Sequence, residues 1–303
     1  MPLPPLRLHD HGPLFSRLAL GFWRLAEAGL SVEERLRLIH TALDEGVTTF
    51  DHADIYGGYT CEGLFGEALA REPGLRPQMQ LVSKCGIRLV HPARPEHRRK
   101  RYDTSRAHIL ASVDRSLAAL RTDHLDLLLI HRPDPFLDVD ETAEGLQAVV
   151  TSGKVRHVGV SNFSPAQFDL LQSRMFLPLV TNQIEVSPLR ITPFLNGTLD
   201  HLQRLNTHAM AWSPFAGGRL LTDEAPETTR VRQALTQLGR ELGGASVEQT
   251  ALAWLLAHPA RLLPVLGTTR PERLRAAAAA AVLRPDADQW FDVWTAAYGG
   301  EVP

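Results

Sequence analysis

The run Leu125-Asp126-Leu127-Leu128-Leu129-Ile130-His131 constrains the fold more than any other stretch of the chain. It is almost wholly apolar, short, and ends on a polar residue. Strands of this kind are buried on both faces, as in parallel sheets covered by helices. Similar runs recur at Leu18 to Trp23, Thr48 to Asp51, Met79 to Gly86, Val155 to Val160, Leu179 to Val186, His208 to Trp212 and Leu262 to Gly267. Between them lie segments with helical spacing. One runs from Val32 to Glu45, with Leu36, Ile39, Ala42 and Leu43 on one face. Ser31 and Glu34 form a capping-box pattern at its start, and Gly46 closes it. Others cover Glu62 to Arg71, Thr104 to Leu120, Val139 to Ser152, a helix opened by Ser164-Pro165, Thr198 to Leu205, two helices between Thr228 and His258, and Arg270 to Ala281. The Ala276 to Ala281 run is helix-forming composition, not a functional motif.

About eight strands alternating with helices imply a parallel sheet with right-handed crossovers. Over 303 residues this favours an α/β fold, a closed (β/α)8 TIM barrel, as one domain spanning 1–303. An open doubly wound sheet is the alternative, but no G-x-G-x-x-G follows the first strand. Leu6 to Ser16 reads as an N-terminal β-hairpin around a Gly12-Pro13 turn, and the tail from Asp286 as a C-terminal extra helix.

Composition narrows the function classes. A net charge of −2 gives no sign of a nucleic-acid or membrane partner. The Arg98-Arg99-Lys100-Arg101 run reads as a solvated part of the Arg-rich loop from Arg88 to Asp103, which should overhang the site. Two cysteines, Cys61 and Cys85, make no disulfide framework and suit a reducing compartment. There is no apolar run of about 18 residues and no secretory signal pattern at the start. A cytoplasmic enzyme, monomeric by default, is the expectation.

In a barrel of this kind the chemistry sits at the C-terminal ends of the strands. Asp51 and Tyr56, Lys84, and His131 end or follow the second, third and fourth strands, so all four can meet. Taken singly, each has an ordinary reading as a turn cap, a loop tyrosine, a snorkelling lysine or a rim histidine. As a set they make coherent chemistry. A phenol titrates near 10, too high for an efficient acid at neutral pH, and an adjacent ammonium lowers that value. Asp51 would keep Lys84 charged and oriented, and His131 would hydrogen-bond a substrate carbonyl. Tyr56 then reads as a general acid for carbonyl reduction, which also requires a hydride source. A Schiff-base lyase using Lys84 as nucleophile is a second reading, weakened because a paired lysine stays protonated. A metal hydrolase finds no support: no His-x-His pair ends the first strand, and no metal site is expected. Trp23 is open to two readings, substrate mouth or core. Cys85 reads as a buried, inert thiol rather than a redox sensor.

The chain resembles the aldo-keto reductases along almost its whole length. The resemblance rests on Phe50-Asp51 through Tyr56, Val82-Ser83-Lys84, Ile130-His131, Gly159-Val160-Ser161-Asn162-Phe163, Asn182-Gln183 and Gly267 to Leu274. The segments SKCGI, LLLIHRPDP and GVSNFSPAQF are similar to those of a bacterial subgroup of uncharacterised NADP-dependent oxidoreductases. The resemblance implies a reductase of aldehydes or ketones with catalytic Asp51, Tyr56, Lys84 and His131. It implies NADPH as cofactor, with NADH not excluded. Ser161, Asn162 and Gln183 would hold the nicotinamide carboxamide, and Trp212 would stack on its ring. Ser213, Pro214 and Leu220 would line the pyrophosphate. Gly267, Thr268, Thr269 and Arg273 would hold the adenosine end, with Arg273 at the 2′-phosphate. Phe22, Trp23 and Asp51 would complete the cofactor site, and Trp23, Tyr56 and His131 would meet the carbonyl substrate. The pattern departs from well-studied mammalian members at Gly267 and Ala277, where they carry lysine and asparagine. Some members of the family are also thought to be non-enzymatic nicotinamide sensors or partner subunits.

Overall fold

In the computed structural model, which describes residues 4–301, twelve strands are formed. The outermost residues of the expected 1–303 domain, 1–3 and 302–303, lie outside that range. The strands are β1 (Leu6–Arg7), β2 (Leu14–Phe15), β3 (Ala19–Gly21), β4 (Thr49–Asp51), β5 (Gln80–Cys85), β6 (Ile87–Arg88), β7 (Arg101–Tyr102), β8 (Leu125–Ile130), β9 (Val155–Ser161), β10 (Leu179–Glu185), β11 (Met210–Trp212) and β12 (Leu263–Leu266). Eight of them, β3, β4, β5, β8, β9, β10, β11 and β12, close into a parallel barrel in chain order. The expected TIM barrel is therefore present, with β1 and β2 as its N-terminal hairpin.

The hairpin plugs the end of the barrel where the strands begin. Leu6, Leu8 and Phe15 pack into one cluster with Ala19, Val82, Leu127, Leu129, Val180, Met210, Leu263 and Val265. Ser16 Oγ accepts from the backbone N–H groups of Thr48 and Thr49 at 3.0 and 3.1 Å, which ties the plug to β4. A second, larger cluster fills the space between strands and helices. The opposite end is left for loops.

Strand alternation decides which side chains reach the interior. On β5, Val82 packs inside, so Lys84 points inside too, while Leu81 and Cys85 face the helices. On β8 the same count runs Leu127, Leu129 and then His131. On β9 it delivers Ser161. Strand β10 carries an extra residue against β9 between Leu179 and Asn182. Such a bulge reverses the in-out phase. It lets both Val180 and Gln183 face the barrel axis.

Helix signals are satisfied where the sequence placed them. Ser31 caps Val32–Asp44, Ser164 caps Pro165–Gln172, and Asp286 caps Ala287–Tyr298, each with a reciprocal capping box. The last of these docks on the outer helices. Trp290 stacks on Trp254 at 4.9 Å, and each indole N–H donates to the other residue's backbone carbonyl. The Arg88 to Asp103 segment departs from a plain loop: β6 and β7 pair antiparallel across it. Its run of arginines made no strand signal because only two residues on each side join the ladder.

The loop after β4 turns through three consecutive left-handed residues, Gly57, Gly58 and Tyr59. A Cβ on Gly57 would lie 2.6 Å from Ala26 Cβ and 2.7 Å from Cys61 Sγ. Gly57→Ala should therefore destabilise the protein by about 2 kcal/mol or more, from backbone strain and the clash together. Thermal or denaturant unfolding measures this; a variant as stable as the wild type would show that the loop relaxes freely.

Candidate active site

The centre of the site is the Lys84 ammonium. It is 1% exposed and donates to Asp51 Oδ2 at 2.7 Å, the His52 carbonyl at 2.8 Å and Tyr56 Oη at 3.1 Å. Three acceptors for three N–H bonds leave none free. Asp51 Oδ1 accepts from Gln183 Nε2 at 2.8 Å, so both carboxylate oxygens are engaged. Tyr56 and His131 meet edge to face with ring centres 5.8 Å apart. The four strand-end residues singled out from the sequence are thus brought together.

The electrostatics follow from burial and neighbours. Burial alone would pull Lys84 down, but Asp51 and Tyr56 outweigh it and leave the amine above its usual value. The expected depression of Tyr56 is not what results. Burial pushes the phenol above its usual value, Lys84 pulls it back, and Asp51 adds to the rise. The lysine acts in the expected direction, yet desolvation is larger. His131 is held well below its usual value by burial, by Lys84 and by Arg132, so its imidazole is neutral near pH 7. Its Nδ1 is buried with no partner. Cys85 is 1% exposed and burial raises its thiol far above the usual range, the state of an inert cysteine.

The residues expected to hold a nicotinamide lie on the same rim. Ser161 Oγ donates to the Gln183 carbonyl at 2.8 Å, and Asn162 Nδ2 donates to Ser161 Oγ at 2.8 Å. Trp212 Nε1 donates to Asn162 Oδ1 at 3.0 Å, which fixes the indole plane. Asn162 and Ser213 both adopt left-handed backbone, at φ 62° and 51°. Leu220 has its side chain fully in the core. Phe22 is also buried, stacked on His52 at 4.8 Å. Trp23 is 55% exposed, which removes the core reading. At the far end, Gly267, Thr268 and Thr269 precede the helix Pro271–Ala280, whose N-terminus has no side-chain cap. Arg273 sits exposed on its first turn. An uncapped helix N-terminus beside an arginine suits a phosphate. The residues present fit a nicotinamide dinucleotide.

Three features escaped the sequence reading. Gln183 braces Asp51, which only the β10 bulge makes possible. Glu62, 5% exposed on Cys61–Leu69, accepts from Ser83 Oγ at 2.6 Å. Burial raises its carboxyl, and the neighbouring Asp54 is raised by burial and by Glu62. Arg132, next to His131, places its guanidinium 5.5 Å from the centre of the Trp212 ring. The residues SKC and HRP carry Ser83 and Arg132, but nothing in their spacing marks them.

The profile of the Aldo/keto reductase family matches residues 17–296. An uncharacterized oxidoreductase of Bacillus subtilis, YcsN, is 51% identical over 95% of this chain and 96% of its own. A 6-dehydroglucose reductase of Agrobacterium fabrum is 47% identical over 95% of this chain and 96% of its own. Among solved structures, a thermostable aldo-keto reductase in complex with the inhibitor epalrestat superposes with a TM-score of 0.82 at 28% identity. That match covers 97% of this chain and all of the other.

His52 offers a test of the buried frame. It is fully buried, both ring nitrogens lack partners, and burial followed by Lys84 lowers it to about 3. The unfolded imidazole titrates near 6.5, so below that pH the unfolded state binds more protons and stability falls. Relative to a His52→Leu variant, the wild type should lose about 2 kcal/mol between pH 7 and pH 5. Parallel unfolding curves at the two pH values check this; a pH-independent gap between the proteins would contradict it.

Proposed function

We propose that this chain, which belongs to the aldo/keto reductase family, reduces an aldehyde or ketone to an alcohol with NADPH, Tyr56 acting as the general acid. Membership makes it an NAD(P)H-dependent oxidoreductase. The observation that carries the finer reading is the single ammonium of Lys84 bonded to both Asp51 and Tyr56 at the mouth of the barrel.

When bound, the reduced nicotinamide supplies the hydride. The chain's own residues do the rest. Ser161 and Asn162 would orient the carboxamide, Trp212 would pack on the ring, and Arg273 would meet the adenosine-side phosphate. Gln183 holds Asp51, and Asp51 holds Lys84 charged. Neutral His131 would donate to the substrate carbonyl and so aim its oxygen at Tyr56. The phenol keeps its proton until that oxygen becomes basic, because burial opposes phenolate. As negative charge develops on the oxygen, Tyr56 transfers its proton and the Lys84 ammonium, 3.1 Å away, stabilises the phenolate left behind.

A Schiff-base role for Lys84 is disfavoured by the same contacts, since all three of its N–H bonds are used and its proton is held. The name of the Agrobacterium relative makes a polyhydroxylated aldehyde of the 6-dehydroglucose type the first substrate to assay.

Tyr56→Phe should lower kcat by about 100-fold or more while NADPH still binds, as quenching of protein fluorescence would show. Equal loss of binding and turnover would make Tyr56 structural. Arg273→Ala should raise the KM for NADPH by about tenfold and leave that for NADH nearly unchanged. Equal effects on both would remove Arg273 from the 2′-phosphate.

A further inference from the structure

We infer that Arg132 is the residue that selects the substrate, by hydrogen-bonding an oxygen-rich group, hydroxyl or carboxylate, carried a few bonds from the reacting carbonyl. This rests on the carbonyl-reductase reading and deepens it. Arg132 directly follows His131, so its backbone is fixed by the strand that presents the imidazole. A closed chain of contacts surrounds it. Asn162 Nδ2 donates to the His131 carbonyl at 3.4 Å, Trp212 Nε1 donates to Asn162 Oδ1, and the Arg132 guanidinium lies over the Trp212 ring. The cation is thereby held at the mouth, beside the imidazole and against an indole.

Its electrostatic position is unusual for an arginine. Among the described residues no carboxylate pairs with it and no acceptor takes its N–H bonds; the indole face is its one specific contact. Its charge is felt within the site itself: with burial and Lys84, Arg132 holds the neighbouring His131 imidazole uncharged. A half-buried guanidinium with five free donors is a planar fork awaiting oxygens. The cation–π contact with Trp212 limits its rotamers, so less freedom is lost when an oxygen arrives. An apolar aldehyde offers it nothing and leaves the donors unsatisfied, which costs binding. A vicinal diol or a carboxylate satisfies them.

The test compares kcat/KM for D-glyceraldehyde and succinic semialdehyde, each divided by that for butanal, in wild type, Arg132→Met and Arg132→Lys, all with NADPH. Loss of a charge-assisted bond corresponds to about 10- to 100-fold. The ratio should fall by that much in Arg132→Met, with Arg132→Lys intermediate. A fall confined to glyceraldehyde assigns the contact to hydroxyls, a fall confined to succinic semialdehyde assigns it to a carboxylate, and a fall in both assigns it to either. Unchanged ratios overturn the inference, and so does an NADPH affinity weakened in Arg132→Met, which would move the residue to the cofactor. A wild type inactive on all three aldehydes would count against carbonyl reduction of such substrates. In that case calorimetric titration of the NADP-saturated protein with D-glycerate decides: tenfold weaker binding in Arg132→Met supports the inference, and equal or absent binding in both proteins overturns it.

Discussion

The ion pair of Lys84 with Asp51 lies 2.7 Å apart with both side chains 3% exposed or less, and the rest of the site is arranged around it. Taking two charges out of water is expensive, and their mutual attraction repays the cost only when their remaining hydrogen-bonding positions are filled. Here they are filled by the His52 carbonyl, Tyr56 Oη and Gln183 Nε2. Removing either charge would strand the other, at a cost of about 3–5 kcal/mol. A pair of this kind is poor at adding stability and good at specifying one arrangement of four side chains, three from strands and Tyr56 from the loop after β4.

That arrangement divides the proton chemistry among the groups. Burial keeps the Tyr56 phenol protonated and keeps His131 neutral, while the same burial fails to discharge Lys84 because two anionic or polarisable partners face it. The result is one permanent positive charge beside one reluctant acid. The acid is useful only once an oxygen beside it becomes more basic than the phenolate, which couples proton transfer to the chemical step. The lowering expected from the adjacent ammonium is outweighed by desolvation of the phenol.

Much of this was legible in the chain. Strand Leu125–Ile130 and its counterparts announce a parallel barrel because burial on both faces leaves no polar alternation to misread. Asp51, Lys84 and His131 could be placed inside by counting twos from apolar neighbours. Gln183 could not be assigned to Asp51, because the β10 bulge breaks that count and no local residue marks it. The β6–β7 ladder was hidden in an arginine-rich segment with too few apolar residues to show a period. Phe22 and Leu220 were named for a cofactor, yet their side chains serve the core; backbone and side-chain roles of one residue are not separable in a sequence. Arg132 was passed over because a lone arginine on a loop is usually solvated, and its indole partner lies 80 residues away in the chain.

Lys84 is proposed to act on catalysis through Tyr56. Single-turnover hydride transfer from bound NADPH, measured for wild type, Lys84→Met, Tyr56→Phe and the double variant, tests it most directly. Each single variant should lose most of the rate, and adding Lys84→Met to Tyr56→Phe should cost nothing further. Fully additive losses would show that the lysine acts on the substrate or cofactor independently of the phenol, and would contradict it.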